Sequence, residues 1–375
     1  MKSSRPGPHT KALPADARPR NRTMLLQALL DRGPTSRADL ARVSGLTPTT
    51  VSAVTAELIA DGLIEEVGRK VSTSAGKPAT LLAVEPDGRH IIALDLSDDE
   101  TIVAAVVNLA GKIVARRSLP RNGETGKKAA QAIVRMTKDI AANVQRPLLG
   151  IGVATPGIVD DAGVVLTAAH VQWTDEPLAH KLATALQVPA YVTNDANAAV
   201  LAEYSNTEPG NGQENLLLVR VGGGVGAGIV VGGHLYVGDH YAAGEIGHVI
   251  VDDSGPRCKC GRNGCLEAIV SAPLLAQRLN GVDDEDRAHY LDQAGRHLGL
   301  ALATLVGALD LSEIVLSGPM DLLDDRFRVA ALETIRHRTF PAVGQHVTAR
   351  FSSLGDDGVL LGAAALVLRR ELGVV

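Results

Sequence analysis

Apolar positions in the first quarter of the chain fall at helical spacing. Met24, Leu25, Ala28 and Leu29 form a stripe that stops at Gly33-Pro34, where proline and glycine end helices. Thr35 or Ser36 can cap a second helix with an apolar face of Leu40, Ala41 and Val43, and Gly45 breaks it. Thr47 caps a third, with Pro48 at its first position and Val51, Val54 and Leu58 along one side as far as Asp61-Gly62. Two strands follow, at 63–67 and 80–84, around a turn containing Gly68, Arg69 and Lys70. This order predicts a winged helix-turn-helix over residues 21–84, with the third helix as the one that enters a DNA groove. Thr49, Thr50 and Ser52 lie in its first turn, the part that meets base edges, and Arg69, Lys70 and Lys77 sit near the wing tip, where they suit phosphate. The same helical pattern also fits a three-helix module that binds protein.

Beyond residue 85 the pattern changes to short apolar runs at 90–96, 101–108 and 112–117, with turns at Asp98-Asp99 and Ala110-Gly111. A helical stretch at 127–144 and a buried strand at 148–154 come next. Three short strands with glycine turns recur at 216–221, 227–231 and 234–237, again with helices downstream. Duplication of this kind predicts two similar α/β lobes facing each other across a cleft. A last helix, about 357–372, carries Ala363, Ala364, Ala365 and Leu366 and is expected to pack on the first lobe.

Composition sharpens the division. The 375 residues suit two or three domains, and 45% hydrophobic against 21% charged residues is ample for a core. Aromatics at 2% give no stacking surface for single-stranded nucleic acid. The net charge of −5 conceals an asymmetry: residues 1–80 hold 12 basic against 7 acidic side chains, the remainder 25 against 35. A basic head on an acidic body points to a polyanionic partner at one end. No run of 18 apolar residues occurs, so no membrane span is expected. Residues 1–20, rich in Pro, Arg and Lys without an apolar stretch, read as a disordered basic arm, not a secretory signal.

The chemistry concentrates in residues 244–267, GEIGHVIVDDSGPRCKCGRNGCLE. All three cysteines of the chain, Cys258, Cys260 and Cys265, lie here with His248 upstream, and Gly255, Pro256, Gly261 and Gly264 supply tight turns. Three thiolates and one imidazole complete a tetrahedral zinc shell with no open position, so the expected cofactor is one structural Zn2+. Three unrelated free thiols are the alternative. Reduced thiols and no export signal place the chain in the cytoplasm. Glu245 and Glu267 flank the ligands, so the metal would also hold two carboxylates in place. At Asn194-Asp195, after a strand at 190–193, a carboxamide and a carboxylate stand side by side, a pair able to bind vicinal hydroxyls or simply to cap the next helix.

EIGH followed by CxCGxxGCxE resembles the signature of the ROK family of sugar kinases and sugar-responsive repressors. The resemblance implies an actin-like (RNase H-like) two-lobed sugar kinase fold for residues 85–375. It implies sugar contacts for Gly157, Asn194, Asp195, Glu245, His248 and Glu267, and Asp195 as general base if the chain is a kinase. Gly76-Lys77-Pro78 resembles the wing of the family's repressors. The family's kinases carry an aspartate and a Gly-Gly-Thr turn after the first strand, to cradle nucleotide phosphates. Here that run is Asp95-Leu96-Ser97-Asp98-Asp99-Glu100, whose carboxylates repel polyphosphate. Gly222-Gly223-Gly224 keeps its glycines, with Gly223 where kinases have threonine, and Ser317-Gly318-Pro319 stands where a Gly-Gly pair is common. The expectation is therefore a non-enzymatic, sugar-controlled repressor that binds double-stranded operator DNA as a homodimer or homotetramer. A hexose kinase with an appended DNA-binding head is the alternative, and a scaffold whose head binds protein is another.

Overall fold

The computed structural model describes residues 14–69, 79–206 and 214–374. The chain forms two compact units, residues 1–89 with 368–375, and residues 90–367.

The first unit contains α1 (Pro14–Arg32), β1 (Thr35–Ser36), α2 (Arg37–Ser44), α3 (Pro48–Ala60), β2 (Ile64–Arg69) and β3 (Thr80–Val84). Ser36 caps α2 by accepting from the Asp39 amide, and Gly45 ends it in the left-handed region at φ 69°. Leu25, Leu29, Leu40, Val51, Val54, Leu58 and Leu82 form its core. Three details depart from the pattern reading. Val43 is 40% exposed and lies off the buried face. Residues 14–20, assigned to a disordered arm, are the start of α1. Gly68 and Arg69 belong to β2, which bulges between Glu66 and Gly68, so the turn starts later than expected. Lys70 and Lys77 lie outside the described residues, as does Gly76-Lys77-Pro78. Thr35 and Ser36 also pair with β3, giving the sheet order β1-β3-β2. Thr23 Oγ1 donates to the Leu372 carbonyl at 2.8 Å, so the chain's last turn belongs to this unit.

The second unit opens with β4 (His90–Asp95), β5 (Thr101–Asn108), β6 (Ile113–Pro120), α4 (Gly126–Ala141) and β7 (Leu148–Thr155). A small antiparallel excursion, β8 (Ile158–Val159), β9 (Val165–Ala168) and β10 (Trp173–Glu176), leads to α5 (Leu178–Leu186), β11 (Ala190–Asn194) and α6 (Asp195–Ser205). The second lobe has β12 (Leu216–Val221), β13 (Val225–Val231), β14 (His234–Leu235), α7 (Glu267–Val270), α8 (Ala272–Leu279) and α9 (Asp284–Leu309). It ends with β15 (Glu313–Ser317), α10 (Asp325–Arg338), α11 (Pro341–Gly344), β16 (Thr348–Phe351) and α12 (Gly358–Leu372).

Sheet order is β11-β7-β4-β5-β6 in one lobe and β14-β13-β12-β15-β16 in the other. In each, three antiparallel strands are followed by two that add in parallel beside the first. The expected duplication is thus a repeat of topology, with one apolar core per lobe. Strands at 80–84, 101–108 and 216–221 fall where the pattern puts them; the excursion at 158–176 has no counterpart in that reading. The C-terminal helix packs on the first lobe as expected: a side chain at Gly152 of β7 would put its Cβ 1.9 Å from the Ala363 carbonyl oxygen.

Candidate effector site and metal cluster

His248, Cys258, Cys260 and Cys265 come together with all four ligand atoms within 4.8 Å of one another. Cys258 Sγ lies 3.7 Å from His248 Nδ1, and Cys260 Sγ lies 3.6 Å from Cys265 Sγ. A tetrahedral zinc site with bonds near 2.3 Å has sulfur–sulfur edges of about 3.8 Å, so the spacing fits an ion at the centre. The backbone between the ligands is a hairpin, with Val251 N donating to Gly264 O at 2.9 Å and Leu266 N to Val249 O at 2.9 Å. Donors from Arg262 pull the Cys260 thiol down to about 6, while burial and the other two sulfurs push Cys265 up to about 11. Three thiolates cannot share this space without a compensating cation, which is what a divalent metal supplies.

The same stretch of chain carries Glu245, His248 and Glu267, three of the residues expected to contact a sugar. His248 turns Nδ1 to the sulfurs and Nε2 toward Glu245, at 3.9 Å from Oε2. One ring can therefore serve both roles assigned to it, ligand through one nitrogen and hydroxyl partner through the other. Glu245 keeps 40% of its side-chain surface open. Burial raises its pKa, the neighbouring His248 opposes that, and the charges of Asp195 and Glu267 add to it.

Asn194 and Asp195 divide the two readings of their pair. Asn194 caps α6, its Oδ1 accepting from Ala196 N at 2.8 Å and Asn197 N at 3.2 Å, while Nδ2 donates to the Gly157 carbonyl at 3.0 Å. Gly157, at φ +99°, is there because a side chain would meet Thr167 O. Asp195 accepts from Arg220 Nη1 through Oδ2 at 2.9 Å and from Ala196 N through Oδ1 at 3.0 Å. Arg220, from β12, also donates through Nη2 to Ser97 Oγ at 2.8 Å and so ties the second lobe to the first. Pattern reading missed Arg220, although a lone arginine in the apolar run LLLVRV was a signal. It also missed His170, whose Nε2 is buried without a partner among the described residues. Burial and then the Arg121 cation lower its pKa, with Asp99 and Asp195 opposing.

The two turns that stand where a kinase would cradle phosphate differ. In the first, Asp98 Oδ1 accepts from Glu100 N at 2.9 Å and Thr101 N at 2.7 Å. Arg121, 6% exposed, donates to the Leu96 carbonyl among Asp99, Asp98 and Asp95. In the second, Val225 N donates to Glu267 Oε2 at 3.2 Å.

On the head, Thr47 caps α3 by accepting from Thr50 N at 3.2 Å, and the two hydroxyls are 2.9 Å apart. Thr49 and Ser52 are exposed and Thr50 is half-buried. Much of the head's basic charge is paired within it: Arg18 with Glu57, Arg22 with Asp61, Arg37 with Glu66 and Arg42 with Asp39. Arg69 is exposed at the end of β2. No helix among the described residues is long and apolar enough to cross a membrane.

A winged helix-turn-helix head on a two-lobed body of sugar kinase type is the class these features define. Residues 91–370 match the ROK family and residues 19–65 match a winged helix-turn-helix DNA-binding family; the chain belongs to the ROK family. The xylose repressor of Bacillus spizizenii is 27% identical over 95% of this chain and 96% of its own. The DNA-binding transcriptional dual regulator NagC of Escherichia coli K12 is 29% identical over 92% of this chain and 91% of its own. A crystal structure of a ROK family transcriptional regulator, a homologue of the E. coli MLC protein, shares the fold at TM-score 0.81 and 24% identity, over 95% of this chain and 98% of that one.

Proposed function

We propose that this protein is a DNA-binding transcriptional repressor of carbohydrate metabolism whose cleft binds a sugar effector and performs no phosphoryl transfer. The observation that carries this is the joint state of Asp195 and the two turns. The would-be general base is ion-paired to Arg220, one turn is lined by carboxylates, and the amide of Val225 in the other is bonded to Glu267. The full-length likeness to named repressors, head included, supports the same reading over that of a kinase.

Asp195, Glu245, His248 and Glu267 offer the effector its polar contacts, and Asn194 with Gly157 fixes the helix start that presents Asp195. One Zn2+ on His248, Cys258, Cys260 and Cys265 pins the hairpin carrying two of those carboxylates. Such a thiolate site belongs in a reducing compartment, the cytoplasm. Thr49, Thr50 and Ser52 meet base edges and Arg69, Lys70 and Lys77 meet phosphate, in a homodimer or homotetramer that doubles the half-site. Effector binding changes lobe closure and with it the spacing of paired recognition helices. A hundredfold preference of the ligand for one state corresponds to about 2.7 kcal/mol, within ordinary coupling energies.

Band shifts on the DNA beside the protein's own gene, with and without xylose or N-acetylglucosamine, test the reading. Specific binding that weakens steeply with salt and responds to a sugar is expected. Thr50→Ala should weaken operator binding about tenfold and leave sugar binding unchanged. ATP-dependent turnover of a sugar at ordinary kinase rates would overturn the proposal.

A further inference from the structure

We propose that the first lobe carries a second binding site, at the edge of its sheet, for a small ligand with an apolar body and one carboxylate. The proposal is independent of the reading of Asp195, Glu245, His248 and Glu267 as a sugar site.

Two rows of side chains cross the sheet on the face that α4 covers. Register sets Ile92 beside Val106 and Val106 beside Ala115 in one row, Leu94 beside Ala104 and Ala104 beside Arg117 in the other. Ile92, Leu94, Ala104 and Val106 share one apolar core with Ile140 in the last turn of α4. Toward the edge strand β6 the rows thin to alanine, and α4 ends at Ala141. Alanine at 104 and 115 leaves room, and a cavity of about 410 Å3 opens between β5, β6 and residues 140–145. That volume lies in the range of small-molecule sites. His90, at the first end of β4, also lines it. The Asp95 turn is at the strand's other end, about 16 Å away along an extended chain, so this is not the cleft.

The chemistry of the lining selects the ligand. Its buried members, Ala104, Ala105, Val106 and Ile140, are all apolar. Charge stands only among the exposed ones. Arg116 is ion-paired with Asp357, whereas the Arg117 side chain has neither an ion pair nor a hydrogen bond among the described residues. The Gln145 carboxamide is uncommitted in the same sense, while Asn143 Nδ2 donates to the Asp139 carbonyl at 2.7 Å. Arg117 can lay its aliphatic stem along the apolar rim and hold its guanidinium in water, where a carboxylate meets it through two parallel hydrogen bonds. One uncommitted guanidinium matches one anionic head. The apolar interior matches an aliphatic or aromatic body and gives a sugar's hydroxyls nothing to bond.

Titration calorimetry on the full-length protein with 4-phenylbutyrate and with its neutral counterpart 4-phenylbutanol tests this. The acid should bind with a dissociation constant below about 1 mM, and the alcohol about tenfold more weakly. Arg117→Met should remove that preference and leave the alcohol's affinity unchanged, since only the charge is lost. Ala115→Leu, on the exposed edge strand, should fill the cavity and weaken both ligands about tenfold or more. Both are surface changes, so each variant should melt within about 2 °C of the parent and keep its response to sugar. Absence of saturable binding by the acid overturns the site, as does binding that Ala115→Leu leaves intact. Equal affinity for acid and alcohol, or a preference that survives Arg117→Met, overturns the carboxylate. Each of these failures leaves the sugar receptor standing.

Discussion

The two lobes repeat one strand order, and the turn between their first two strands is closed in opposite ways. In the first lobe, residues 95–100 replace glycine with carboxylates; Asp98 folds back on the amides of Glu100 and Thr101, and Arg121 is buried against the cluster. In the second, Gly222-Gly223-Gly224 keeps the flexible sequence of a phosphate cradle, yet Arg220 lies over one glycine and Glu267 over another. One turn has lost its phosphate site by changing its own residues, the other by what the fold lays on it. The second loss depends on the metal hairpin, because Glu267 follows Cys265 by two residues.

That dependence gives the largest expected effect. Cys260→Ser should lose the metal, release Glu267 from the Val225 amide and lower effector affinity about 10- to 100-fold, the usual cost of disturbing a metal site's supporting shell. Metal content by plasma mass spectrometry and effector titration check it. The first lobe's turn should be untouched, so hydrogen exchange at Glu100 and Thr101 should stay at the parent rate while Val225 loses protection. Equal loss at both turns would erase the distinction between them.

Next come the two arginines, one for each turn. Arg121→Met removes the buried cation that compensates Asp95, Asp98 and Asp99, and leaving those charges unmatched should destabilise the second unit by about 3 kcal/mol in urea denaturation. Arg220→Met breaks a largely buried pair, its members 19% and 14% exposed, and should also cost stability. What sets it apart should be the ligand: about tenfold weaker effector binding, partly rescued by Arg220→Lys, because Asp195 loses the partner that fixes its orientation. Reversed outcomes would mean that the guanidiniums, not the turns, set the contrast.

What could be read from the sequence follows the same contrast. The clustering of His248 with the three cysteines, the repeat of three short strands and the helix-turn-helix caps are local, so spacing and turn chemistry reveal them. Residues 95–100 were legible because the change lies in the turn itself. The closing of Gly222-Gly223-Gly224 was not, since Glu267 is 43 residues beyond Gly224 and only the hairpin returns it. Asn194 and Asp195 show the limit within one dipeptide: both fit a cap or a hydroxyl pair, and only the fold shows Asn194 capping α6 and Asp195 paired with Arg220.

The smallest effect concerns Asp95, which the first turn keeps although no phosphate or metal is left for it to serve. Burial raises its pKa, with Arg220 and the Ser97 hydrogen bonds opposing. A carboxyl whose folded pKa lies above its unfolded one contributes stability below the unfolded value and loses it as pH rises through the folded value. Above the ordinary carboxylate range the group is therefore a burden to the fold. Asp95→Asn imitates the neutral form and can keep the 2.8 Å acceptor role toward the Ser97 amide. The substitution should raise the melting temperature by about 1–3 °C at pH 7.5, and the gain should vanish as pH falls below the ordinary carboxylate range. Were Asp95→Asn to destabilise at neutral pH, the Arg220 contact would outweigh burial, and the first turn, like the second, would be held shut by an arginine from β12.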